Sequence, residues 1–388
     1  MDILPDLQKG LRSSRAEFYA HCGDSFASSG TRAELRRLIV TSNTAHLYFH
    51  GPSEGGLGGG VSSRGGYARI LDSRFERNVA ASAGGAMYCV GSQGTIGNVT
   101  VRLNAVRGTA LSSGGGVYVR GGSLSVQDST FSDNTAQLYG GGMFLGADTT
   151  SVDNVTFLDN EALSDGGGAF LNESSATIMN SHVISNDASR GGGLYLLASA
   201  VTVQGVQLSE NTAVTLGGGI AIRNGSNALK TVAILKNTAT SGGGLHVLAG
   251  GTHTLVSVEV LSNVARKGGG GISVSDSALE LRDTQLQANI AVKSGGGLAA
   301  WNSQLVLVDT TLSKNFGYAS GGALVLRNST RLLARRHTAR CTIIVHTRPP
   351  TFPVLARVCP GKRPFPVDLR GISARASPPP PPKGEGSV

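Results

Sequence analysis

Two pairs of carboxylates recur at one spacing: Asp133 and Asp159 are 26 residues apart, and so are Glu161 and Asp187. If 26 residues make one turn of a stacked backbone, these four side chains project from neighbouring turns on one flank. Carboxylates gathered in that way suit general acid and base work on a polar substrate, or coordination of a hard cation such as Ca2+. No arginine recurs beside them, and solvated turn charges account for the same pattern. Ca2+ at this quartet is the one cofactor the sequence suggests; none other is expected. His182, His246 and His253 stand at no ligand or triad spacing from one another. The glycine runs are not phosphate loops, because no Lys-Ser/Thr follows them.

A second set of residues is aromatic. Tyr88, Tyr118, Phe144, Phe170 and Tyr195 occupy one position in five consecutive repeats, between apolar neighbours such as Val117 and Val119 or Met143 and Leu145. Strand alternation then puts the neighbours in a core and the rings on the opposite face. Five rings one strand apart would form a strip about 20 Å long. Exposed, such a strip receives the face of a glycan or contacts a surface protein; mutual stacking within a sheet explains the same column.

The elements that must position these residues are set by the period. Asn134, Asn160, Asn186, Asn211, Asn237, Asn263, Asn289 and Asn315 follow one another at 26 residues, with a single step of 25. Glycine blocks starting at Gly114, Gly140, Gly166, Gly191 and Gly217 keep pace with them. Between these landmarks apolar residues alternate over stretches too short for helices: Leu194 and Leu196, Val201 and Val203, Val206 and Leu208. No proline falls between residues 53 and 348, where ladder N–H groups are needed. The pattern predicts an all-β solenoid, a parallel β-helix of about ten coils with three short strands in each. The asparagines are expected to stack amide on amide in an internal ladder, and the small residue two places on, as at Ala136 and Ala162, to fit a tight corner. Asn227 lies outside that column and is expected to matter little to stability.

Phe75–Asn78 with Gly84-Gly85-Ala86-Met87, and Phe131–Asn134 with Gly141-Gly142-Met143-Phe144, resemble the polymorphic outer membrane protein repeat. More broadly, residues 55–330 resemble the right-handed, single-stranded parallel β-helices of the pectin-lyase-like superfamily. The resemblance implies an extracellular or cell-surface location and two classes of function. One is a non-enzymatic, adhesin-like scaffold whose partners are carbohydrate or surface protein. The other is a carbohydrate-active enzyme, a polysaccharide lyase or glycoside hydrolase, for which the acidic quartet would supply acid and base groups or hold Ca2+. Paired aspartates followed by Gly-His-Gly are absent, as is any carboxy-terminal series of alternating ten-residue strands for a membrane barrel. The expectation is therefore the scaffold.

Charge divides the chain into three. Residues 55–330 form the repeat domain, 1–54 an amino-terminal segment and 331–388 a proline-rich tail expected to be disordered. The net charge is +9, yet residues 51–330 hold 17 Lys and Arg against 18 Asp and Glu, while the tail holds 11 against 2. A basic excess confined to a tail is no nucleic-acid footprint on the folded body. Met1–Arg15 lacks the pattern of a secretory signal, and no run of 18 apolar residues could span a membrane. The body is expected to be monomeric. Of the four cysteines none forms a CxxC pair, and Cys89 falls in an inward column.

Overall fold

The computed structural model describes residues 19–20, 32–45, 56–108, 112–329, 331–335 and 343–346. One coil runs through strands Leu194–Leu197, Ala200–Gln204, Gln207–Ser209 and Thr212–Leu216. Each pairs in parallel with the same strand one coil away, as in Leu194↔Ile220 and Leu208↔Ile234. Four parallel sheets of eleven or twelve strands result, named here first to fourth in the order of that coil. The chain is thus an all-β, right-handed solenoid as expected, but with four strands per coil rather than three. The fourth was read as a corner because its inward residue is only alanine, Ala188, Ala213 or Ala239, which carries no hydrophobic alternation.

The solenoid also exceeds the expected limits of 55 and 330. Arg32–Arg36 pairs with Tyr67–Leu71, and Ile39–Thr41 with Arg74–Glu76. At the other end Arg331–Arg335 pairs with Gln304–Val308, and Ile343–His346 with Leu324–Arg327. Most of the segment before residue 32, and all of the tail after 346, lie outside the described residues.

Corners are made by residues in the left-handed region. The position before each ladder asparagine is one: Asp133 has φ 55°, Asp159 52° and Lys236 54°. Aspartate is among the side chains that tolerate this conformation, which gives Asp133 and Asp159 a backbone reason for their place.

Inside, the side chains of the first three sheets meet in one continuous core containing Phe75, Phe131 and Phe157. The last two stack with centroids 5.3 Å apart. Beside the core runs the expected asparagine ladder. The backbone N–H and the Nδ2 of Asn211 both donate to Asn237 Oδ1 at 2.9 Å, and Nδ2 donates again to the Val183 carbonyl at 2.9 Å. The same arrangement links Asn134, Asn160 and Asn186, and extends before them through Asn43, Asn78 and Asn104. Among the described residues it ends at Asn315, which accepts from Asn289. Asn227 lies outside this ladder, as expected, yet it is buried: its Oδ1 accepts the Val201 N–H at 2.9 Å, and its amide meets His253 Nδ1 at 3.4 Å.

Candidate functional site

The aromatic column stacks as its spacing requires. Tyr118 and Phe144 lie 4.6 Å apart and Phe170 and Tyr195 5.4 Å, in each case nearly parallel. Its expected exposure is overturned. Phe144 is 8 % exposed, Phe170 and Tyr195 3 %, and only Tyr88 is half-buried. The cause is the glycine block. Gly140 has φ +66°, and a Cβ there would lie 2.2 Å from the Met143 carbonyl oxygen, so glycine alone lets the chain fold back over the strand it is about to enter. The residue ahead of the block then lands on the outer face of the first sheet. Leu57, Ala83 and Tyr139 cover the rings in this way, and Tyr139 stacks on Phe170 at 4.7 Å. The column is a second, smaller core outside the tube, and no open platform.

In the next two coils that covering position holds Asp165 and Arg190. Arg190 donates from Nε and Nη2 to the two carboxylate oxygens of Asp165 at 2.6 and 2.7 Å. Burial pushes the Asp165 carboxyl up, against the pull of the two Arg190 hydrogen bonds. The guanidinium lies 5.3 Å from the Tyr195 ring centroid. The step of 25 residues falls here, and the strand register shifts at both residues.

The acidic quartet does not converge. Asp133 turns to Arg102, whose Nε donates to Oδ2 at 3.1 Å. Glu161 and Asp187 are register partners on the outer face of the fourth sheet, where burial and then the like charge of Glu161 push the Asp187 carboxyl up. Among the described residues no three His, Cys, Asp or Glu side chains are grouped to hold a metal ion. The quartet, read as a cation site or an acid and base pair, is corrected to three corner or strand charges and one surface ion pair. His182 is exposed on the third sheet, while His246 is buried under the glycine turn and its Nδ1 has no hydrogen-bond partner among the described residues. Cys89 is buried as expected, and burial pushes its thiol up to about 12.

What the sequence reading missed is the outer face of the fourth sheet. It carries the residues one and three places after each ladder asparagine. In the last coils these are Ile290 and Val292, then Phe316 and Tyr318, and all four are exposed. Phe316 and Tyr318 meet edge to face at 4.8 Å. The signal is legible as apolar residues at odd offsets from the asparagine, but a segment whose inward residue is a lone alanine reads as a turn.

A right-handed parallel solenoid with an asparagine-lined corner and glycine fold-back turns defines a class of architecture, and the sequence matches one family of that class. The family described as "Right handed beta helix region" covers residues 59–258 and, in a second overlapping match, 144–316. The chain belongs to the right-handed β-helix family. No curated protein and no solved structure matches it. Among the described residues no helix is long and apolar enough to cross a membrane.

Proposed function

We propose that the chain is a non-enzymatic, adhesin-like scaffold of the cell surface or extracellular space that binds a glycan or a protein through an elongated sheet face. The face is the outer side of the fourth sheet, in place of the covered aromatic column. The observation that carries this reading is the exposed apolar end of that sheet, with Phe316 52 % and Tyr318 70 % exposed beside Ile290 and Val292. Large apolar side chains in a contiguous exposed patch, flanked by the charged side chains of Lys293 and Lys314, are the mark of a contact surface. The location outside the cell rests on the resemblance of the Phe-x-x-Asn and Gly-Gly repeats alone.

The test is binding of the purified chain to glycan arrays and to cell surfaces, compared with the double variant Phe316→Ser, Tyr318→Ser. Both positions are exposed, so the variant should fold, which circular dichroism would establish. Binding is expected to fall at least about tenfold, a loss of about 1.4 kcal/mol. Equal binding by the two proteins would refute this face as the contact surface.

A further inference from the structure

Over its last eight coils the outer face of the fourth sheet is divided by charge along the solenoid axis; in the coils before them Arg77 and Arg107 stand in the same columns. In the coils of Asn134, Asn160, Asn186 and Asn211 its columns and their leading corner carry Asp133, Asp159, Glu161, Asp187 and Glu210. In the following four coils, through Asn315, Lys236 and Lys314 stand at the leading corner, Arg266 three places after its asparagine, and Lys267 and Lys293 four places after theirs. Neither half holds a charge of the other sign in those columns, apart from Arg190, which is engaged with Asp165. Glu210 and Lys236 pair at 3.2 Å across the boundary, while Arg266, Lys267, Lys293 and Lys314 have no ion-pair partner among the described residues.

We propose that this face docks a second copy of the chain, antiparallel, about a two-fold axis lying in the face between the coils of Asn211 and Asn237. The inference rests on the reading of the fourth sheet as the contact surface and names its partner. A two-fold interface is self-complementary, so each patch must meet its own complement on the other copy. Reversing the solenoid about that axis sets each column against itself: the Asn134 coil meets the Asn315 coil, with Asp133 opposite Lys314, and the Asn186 coil meets the Asn263 coil, with Asp187 opposite Val264 and Arg266 two residues further along the strand. It also brings the Asn160 coil against the Asn289 coil. Glu161 then meets the coil of Lys293, and Leu163, exposed at 58 %, falls opposite Val292, exposed at 50 %. A parallel arrangement would oppose like charges throughout. The tail carries 11 Lys and Arg against 2 Asp and Glu, which disfavours it as an occupant of the basic half.

Eight coils at about 4.8 Å span about 35 Å, and five residues of strand and corner about 15 Å, giving roughly 500 Å² per copy. That lies at the small end of specific interfaces. The association is therefore weak, steered by charge and sensitive to salt.

The experiment measures mass in solution by analytical ultracentrifugation across concentration, at low and at high salt. The whole chain should form dimers at about 50 mM salt and revert to monomers at about 0.5 M, where screening lengths fall to a few ångströms. Two variants make the face uniform in charge: Glu161→Lys with Asp187→Lys, and Arg266→Glu, Lys267→Glu with Lys293→Glu. Each alone should associate at least about tenfold more weakly than the parent, and an equimolar mixture should recover the dimer. Circular dichroism of each variant controls for folding. A parent that stays monomeric at low salt, or variants that self-associate like the parent, would overturn the proposal. If the parent stays monomeric while Phe316→Ser, Tyr318→Ser still abolishes glycan or cell binding, the second copy is refuted and the scaffold reading stands.

Discussion

Arg190 reaches back one coil to hold both carboxylate oxygens of Asp165, at 2.6 and 2.7 Å, above the ring of Tyr195. The pair closes the roof over the aromatic column at the one place where the asparagine period shortens. Its neighbours in the same roof position are Tyr139 and Leu216, one coil to either side, so the fold itself does not require a charge there.

Arg190→Ala should therefore cost about 2–4 kcal/mol, because it strands a buried carboxylate; the partial exposure of Arg190 keeps the value below that of a fully buried pair. The double variant Asp165→Leu, Arg190→Leu should recover most of that loss. Denaturant melts of the three proteins check it. A double variant as unstable as the single would show that the pair is needed for the local register.

Asn211→Ala should destabilise by about 3 kcal/mol, since it removes the acceptor of two Asn186 donors and leaves Val183 without its amide partner. Asn227→Ala, once expected to be neutral, should cost about 1–2 kcal/mol by orphaning the Val201 N–H. The exposed strand residue Gln285 supplies the neutral control, with Gln285→Ala within about 0.5 kcal/mol. Equal melts for Asn211→Ala and Gln285→Ala would argue against the ladder as a stabilising element.

Replacing Phe144 and Phe170 by Ser should damage stability before it damages any binding. Both rings are buried between stacked neighbours, and Phe170 also carries Tyr139. Each truncation should cost about 3–5 kcal/mol, the usual range for removing a buried phenylalanine side chain. A double variant that melts with the parent would mean that the fold-back turns do not cover the column in solution.

Acid should weaken the fold partly through His246. Burial lowers its ring from the usual 6.5 to about 4, so below pH 6.5 the unfolded chain takes up a proton that folded His246 refuses. The contribution is complete above pH 6.5 and is lost as pH falls towards 4. Its size is roughly 2–4 kcal/mol. His246→Ala, flanked in its column by Ala221 and Ser273, should flatten the dependence of stability on pH in this window. Some slope should persist, because burial lowers His253 as well. An unchanged slope in the variant would sink the assignment.

The sequence by itself determined the solenoid. A glycine block and an asparagine at a fixed period leave room only for short strands, and stacking identical coils puts each asparagine amide within reach of the next. Inward columns such as Leu194 and Leu196 were legible because large apolar side chains alternate there. The fourth strand was not, since an alanine facing inward gives no such contrast. Alternation also cannot say what covers the far side of a strand. It placed Phe144 and Phe170 away from the tube correctly, but only the left-handed glycine at Gly140 and Gly166, folding the chain back over that face, decided that they are buried. The same step separated the charges: Asp133 and Asp159 stand in one column by sequence, and the tertiary structure gave the first to Arg102. Periodicity reports which residues share a column, whereas exposure and pairing depend on contacts between different columns, which only the folded chain brings together.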